Sequence, residues 1–147
     1  NTLTRISRSL GYSYDETQAM IARSFMISAD NGHALHPNHG EYADPVNAPR
    51  LNEGIVIKFN AQQKYATDGF SAAFFRDLCR RAKVPTQTFT NRSDIPGGST
   101  LGNISNTKVS MPTVDIGLPQ LAMHSSYETA GTKDTAYLVT ACTAFFE

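Results

Sequence analysis

Ile55-Val56-Ile57-Lys58-Phe59, then Asp68 to Lys83 with Phe70, Phe74, Leu78 and Ala82 at every fourth position, then Thr86 to Thr90, read in order as strand, helix and strand. The first stretch has β-branched residues on successive positions, so both its faces are apolar, as a strand buried inside a parallel sheet requires. The second carries one apolar stripe flanked by Phe75 and Cys79, with Asp68 as a candidate N-cap and Pro85 as a stop. The pattern continues outward. Phe25 to Ala29 and Thr113 to Ile116 read as further strands. Leu138, Ala141, Cys142 and Phe145 mark a terminal helix by their i, i+3, i+4, i+7 spacing. Thr2 to Leu10 and Asp15 to Arg23 read as short helices, and Ile95 to Thr100 as a glycine turn opening a helical stretch that runs to about Val109. Alternating strands and helices predict an α/β fold: a three-layer sandwich with a largely parallel sheet flanked by helices.

In such sheets ligands collect beyond the carboxyl ends of strands. Asp30, the Gly97-Gly98 turn and the loop after Ile116 that carries His124 would all gather there. Residues 31 to 53 form a stretch of loop too long for a mere connector, holding Pro37, Pro45 and Pro49 with three of the four histidines.

Composition narrows the partners. The 147 residues suit a single unit with a real core, and the 13 basic and 13 acidic side chains cancel. A neutral chain sets up no global field for nucleic acid or anionic lipid, and Arg76, Arg80, Arg81 and Lys83 read as a solvated helix face. No apolar run approaches the roughly 18 residues of a membrane span. Cys79 and Cys142 fall on apolar helix faces, where cysteine is a small buried hydrophobe. The start at Asn1 is neither a signal peptide nor an initiator methionine, so the expectation is a cytoplasmic chain cut from something longer.

A carboxylate and an imidazole at neighbouring strand tips suit zinc or a similar divalent ion, so Asp30 and His124 point to metal-assisted hydrolysis. His33, His36 and His39 stand three residues apart, but loop spacing alone does not set tetrahedral geometry. The glycine turn lacks the lysine spacing of a phosphate loop. Lys58 is the odd residue of an apolar strand: either it is buried and needs a partner, or it snorkels from a sheet edge.

Ser28-Ala29-Asp30, Gly32-His33-Ala34, His36-Pro37-Asn38, Val56-Ile57-Lys58, Lys64-Tyr65-Ala66, Gly97 to Gly102 and Leu118 to Ser125 together resemble the aspartyl aminopeptidase family of two-zinc metallopeptidases. The resemblance implies that Asp30 binds one of two divalent ions, zinc first among the candidates, and that His124 binds the other. It implies that His33, Lys58 and Tyr65 contact the peptide substrate, with Lys58 facing an acidic N-terminal side chain. It also implies a general-base glutamate in an adjacent Glu-Glu pair and a His-x-Asp ligand motif, and this chain has neither: its glutamates stand at 16, 41, 53, 128 and 147. Residues 1–147 would then be the C-terminal portion of the catalytic domain, completed by an N-terminal half and an inserted second domain outside the chain. Relatives of that family form large homo-oligomers, dodecamers among them. Two rivals stand beside this reading: a non-catalytic assembly or cargo protein on the same scaffold, and a related two-metal aminopeptidase with another first-residue preference.

Overall fold

The computed structural model describes residues 2–147. Its centre is a four-stranded sheet made of β1 (Met26–Ala29), β3 (Ile55–Phe59), β4 (Thr86–Thr90) and β5 (Thr113–Gly117), in the order β1-β5-β3-β4. β1 and β5 run parallel, as do β3 and β4. Two of the three junctions are therefore parallel, in keeping with the largely parallel sheet that the sequence pattern predicts, while the central junction is antiparallel, with Ile57 opposite Ile116. Strand periodicity reports burial on two faces but carries no direction, which explains why the sequence does not reveal that junction.

One face of the sheet is covered by α3 (Gly69–Arg81) and α5 (Thr132–Phe146). Ile55, Ile57, Val114 and Ile116 are fully buried there against Phe75, Leu78, Cys79 and Ala141. Asp68 caps α3 by accepting from the N–H of Ser71 at 2.7 Å, and the Ser71 hydroxyl accepts from the Asp68 N–H at 3.0 Å. Leu78, Phe75 and Cys79 of the expected α3 stripe are buried and Ala82 packs against the same core, but the stripe does not extend to Phe70. Phe70 is exposed, whereas Ser71, Ala72, Phe75, Leu78 and Cys79 are buried. Phe74 packs sideways on Phe25, with ring centroids 4.4 Å apart.

The opposite face carries the short α4 (Leu101–Asn106) and the loop 60–67. α4 ends three residues before the predicted Val109. A second small sheet, absent from the sequence reading, joins β2 (Gly32–His33), β6 (Pro119–Leu121) and β7 (Thr129–Ala130) at the carboxyl ends of β1 and β5. Strands this short leave no period to read. α1 (Thr2–Ser9) and α2 (Tyr14–Ala22) precede the sheet, and α2 is closed by a Ser13–Glu16 capping box. Cys79 and Cys142 are free thiols. Burial, with Cys142 nearby, pushes the Cys79 thiol up to about 12. No helix among the described residues is long and apolar enough to cross a membrane.

Candidate active site

Asp30, His33, Lys58, Tyr65 and His124 line one cleft of about 660 Å³. They reach it from four separate segments, and the backbone explains how. Asp30 follows β1 directly, its N–H still donating to Ile116 O at 3.0 Å. The chain passes so close to β5 here that a Cβ at Gly117 would run into the Asp30 carbonyl. Asn31 then turns the chain into β2. Its side-chain amide donates to Gln120 Oε1 at 2.9 Å, and its Oδ1 accepts from the Leu118 N–H at 3.3 Å. Those bonds tie the segment bearing Asp30 and His33 to the one that leads to His124.

Lys58 forms the floor. It is 2% exposed, which removes the snorkelling alternative. Its Nζ donates to Asn31 O at 2.9 Å, lies 3.9 Å from Asp30 Oδ2 and sits 5.5 Å from the centroid of the Tyr65 ring. Burial pushes the lysine pKa down, and Asp30 and Asp115 push it back up. A buried ammonium with one firm hydrogen bond retains donors for a further acceptor. His33 is held below the usual histidine pKa by desolvation, with His124 and Lys58 adding to the effect. Its imidazole is therefore neutral at pH 7, a donor at one nitrogen and an acceptor at the other.

Tyr65 hangs from a strap pinned at three points. The Lys64 ammonium donates to Gly97 O at 2.9 Å, the Tyr65 hydroxyl to Asn91 Oδ1 at 3.3 Å and the Ala66 N–H to Asp115 Oδ2 at 2.6 Å. Burial raises the Tyr65 pKa, so the phenol stays protonated. Asp115 and Asn91 carry no role in the sequence reading. A carboxylate within Thr113-Val114-Asp115-Ile116 breaks an apolar run much as Lys58 does, and that break is the signal that could have found it.

His124 stands in the loop between β6 and β7 with a left-handed backbone, φ +65°, and is an exposed residue of the cleft lining. His36 and His39 line the outer wall with rings 5.0 Å apart, and His39 Nδ1 lies 3.0 Å from Glu41 Oε1. Across from them Arg92 holds both oxygens of Asp94 and donates to the carbonyl of Glu41, joining the two rims. Among the described residues, no three His, Cys, Asp or Glu side chains converge as a metal-binding group. Asp30 and His124 are an oxygen and a nitrogen donor of the kind a divalent ion takes, so they fit such a centre as members of a larger donor set.

Residues 1–146 match the model of the family described as aminopeptidase I zinc metalloprotease, M18. A probable M18 family aminopeptidase 2 of Stutzerimonas stutzeri strain A1501 is 48% identical over 144 residues, 98% of this chain and 34% of that protein. Among solved structures, a chain of the Ape4 and Nbr1 complex superposes with a TM-score of 0.95 at 39% identity, covering 99% of this chain and 27% of its own length. A chain of the S. cerevisiae mApe1 dodecamer superposes with a TM-score of 0.78 at 29% identity over 88% of this chain and 28% of its own. The chain thus spans about a third of the length of the relative from S. stutzeri.

Proposed function

The chain belongs to the M18 family of zinc metalloproteases, and we propose from that premise that residues 1–147 form the C-terminal portion of a metallo-aminopeptidase catalytic domain. The enzyme removes N-terminal residues from peptides, Asp and Glu by preference, and works in the cytoplasm as a large homo-oligomer. The observation that supports this reading best is the convergence of Asp30, His33, Tyr65 and His124 on one cleft with the buried Lys58.

Asp30 and His124 would hold one divalent ion each, zinc by family membership. When bound, the ion pair supplies a water of lowered pKa and polarises the scissile carbonyl. The chain's own residues do the rest. Lys58 presents a positive charge at the cleft floor, where a carboxylate on the first residue of the substrate meets it with little competing water. Tyr65 walls that pocket, and its position is set by Asn91 and Asp115. Neutral His33 donates a hydrogen bond to the substrate carbonyl or to the charge that develops on it. The general base is a glutamate that the family supplies outside these 147 residues.

The test is a comparison of Asp-, Glu- and Leu-initiated peptides in the whole enzyme carrying Lys58→Met. We expect kcat/KM for the acidic substrates to fall about a hundredfold while Leu-peptides change little, the usual scale for truncating one partner of a desolvated charge pair. Equal losses on all three substrates would remove the specificity assignment.

A further inference from the structure

Glu128, four residues beyond His124, commits its carboxylate to a backbone group of a candidate metal ligand: its Oε1 accepts from the His124 N–H at 2.7 Å. The setting makes that bond informative. His124 and Ala122 both have left-handed backbones, φ +65° and +53°, which non-glycine residues adopt rarely and hold only when the surroundings fix them. The loop is closed locally through Ser125. Its N–H and hydroxyl both donate to Ala122 O, at 3.1 and 2.6 Å, and its oxygen accepts from the Tyr127 N–H at 3.0 Å. None of these bonds takes up the His124 N–H itself. A carboxylate meets that group instead, with a charge-assisted bond.

Glu128 is also well placed to act as a fixed point. It immediately precedes β7, whose Thr129 and Ala130 pair with Leu121 and Gln120 of β6. β6 in turn pairs with the strand holding His33, and Gln120 bonds the side chain of Asn31 beside Asp30. The carboxylate of Glu128 therefore refers the backbone of His124 to the same small sheet that holds His33.

We infer that Glu128 is a positioning residue for His124, holding its left-handed backbone so that the imidazole meets the metal at the angle set by the sheet. The inference rests on the reading of His124 as a metal ligand, and the experiment separates the two. The whole metal-free enzyme is titrated with Zn²⁺ and with Co²⁺ against a competing chelator, for the starting protein and for E128A, E128Q and H124A, with the visible bands of bound Co²⁺ recorded for each. Glutamine keeps the accepting oxygen. E128A is expected to weaken one of the two ions by about ten- to a hundredfold, as loss of an outer-shell partner does, and to shift the Co²⁺ bands. E128Q should restore binding to within a few-fold of the starting protein. Both substitutions fall on an exposed loop, so the melting temperature should stay close to the starting value. The inference is overturned if E128A binds both ions with the original affinity and bands while H124A loses one, or if E128Q is as weak as E128A. H124A that retains both ions at full affinity overturns the metal reading of His124 as well.

Discussion

The two faces of the central sheet are built from the same strands, yet they have opposite chemistry. On β3, Ile55 and Ile57 turn toward α3 and α5, while Val56 and Lys58 turn the other way. On β5, Val114 and Ile116 share the first face, and Asp115 lies on the second beside Ser28 of β1, its register partner. The first face is a dry hydrocarbon layer. The second buries an amine, a carboxylate and several hydroxyls, with Ser28 Oγ, Thr100 Oγ1 and Asp115 Oδ1 lacking a hydrogen-bond partner among the described residues. Each such atom costs roughly 1–3 kcal/mol. A layer chosen for stability alone would not carry them, and the site that borders it supplies a reason why they persist.

The largest effect should come from separating the faces at the cleft. Asp30→Ala and His124→Ala are each expected to lower kcat of the whole enzyme by about a thousandfold or more, the several kcal/mol that a metal centre contributes. Zinc content by atomic emission should fall in parallel, and the melting temperature of the metal-free protein should hold. Turnover and zinc content both at starting levels would break the division between a stabilising face and a reacting one. Next in size is its mirror image. Phe75 is fully buried on the hydrocarbon face, and Phe75→Ala should cost about 3–5 kcal/mol in urea unfolding. The fraction of molecules still folded should keep its normal affinity for Zn²⁺.

A third substitution tests how tightly the polar face is filled. Gly102 of α4 lies against that face, where an added Cβ would fall 2.5 Å from Asp115 Oδ1 and 2.7 Å from Ser28 Oγ. Gly102→Ala is expected to destabilise by about 1–3 kcal/mol through overpacking. A neutral result would mean that α4 can slide and that the polar layer is looser than the hydrocarbon one.

The hydrocarbon face was largely legible from the amino acids. The ranges read for β3 and β4 match the structure, and that for β5 stops only one residue short, because β-branched runs bounded by turn residues report burial directly. The polar face was legible only in part. Lys58 announced itself as a charge in an apolar strand. Asp115 broke its own strand in the same way, yet its task becomes visible only once Ala66 and Thr67, nearly fifty positions away, are seen to bond it. Asp30, His33 and His124 were singled out by resemblance and by their places at strand ends. That they share a cleft depends on β2, β6 and β7, strands of two or three residues with no periodicity of their own. The antiparallel junction of β3 and β5 was hidden for a related reason: direction is a property of connections, and the long segments 60–85 and 91–112 allow either.

The smallest expected effect probes the hydrocarbon face through its helix cap. Asp68 sits at the start of α3, one residue after Thr67, whose hydroxyl accepts from the Asp115 N–H at 2.8 Å. The Ser71 N–H holds the Asp68 carboxyl below the usual carboxylate range. A carboxyl with a lower pKa folded than unfolded binds fewer protons in the native state, so its contribution is complete well above about pH 4 and is lost as pH falls through the folded value. Asp68→Ala should therefore cost about 1 kcal/mol at pH 7 in urea titrations, with the gap to the starting protein closing on acidification. Asp68→Asn retains an accepting oxygen and should show a smaller and flatter difference. Peptide cleavage at pH 7 should be unchanged in both variants, because the cap supports the helix on the far side of the sheet from the cleft. A fall in kcat with stability intact would mean that the cap also sets the strap carrying Tyr65, and that the two faces are coupled through residues 65–68.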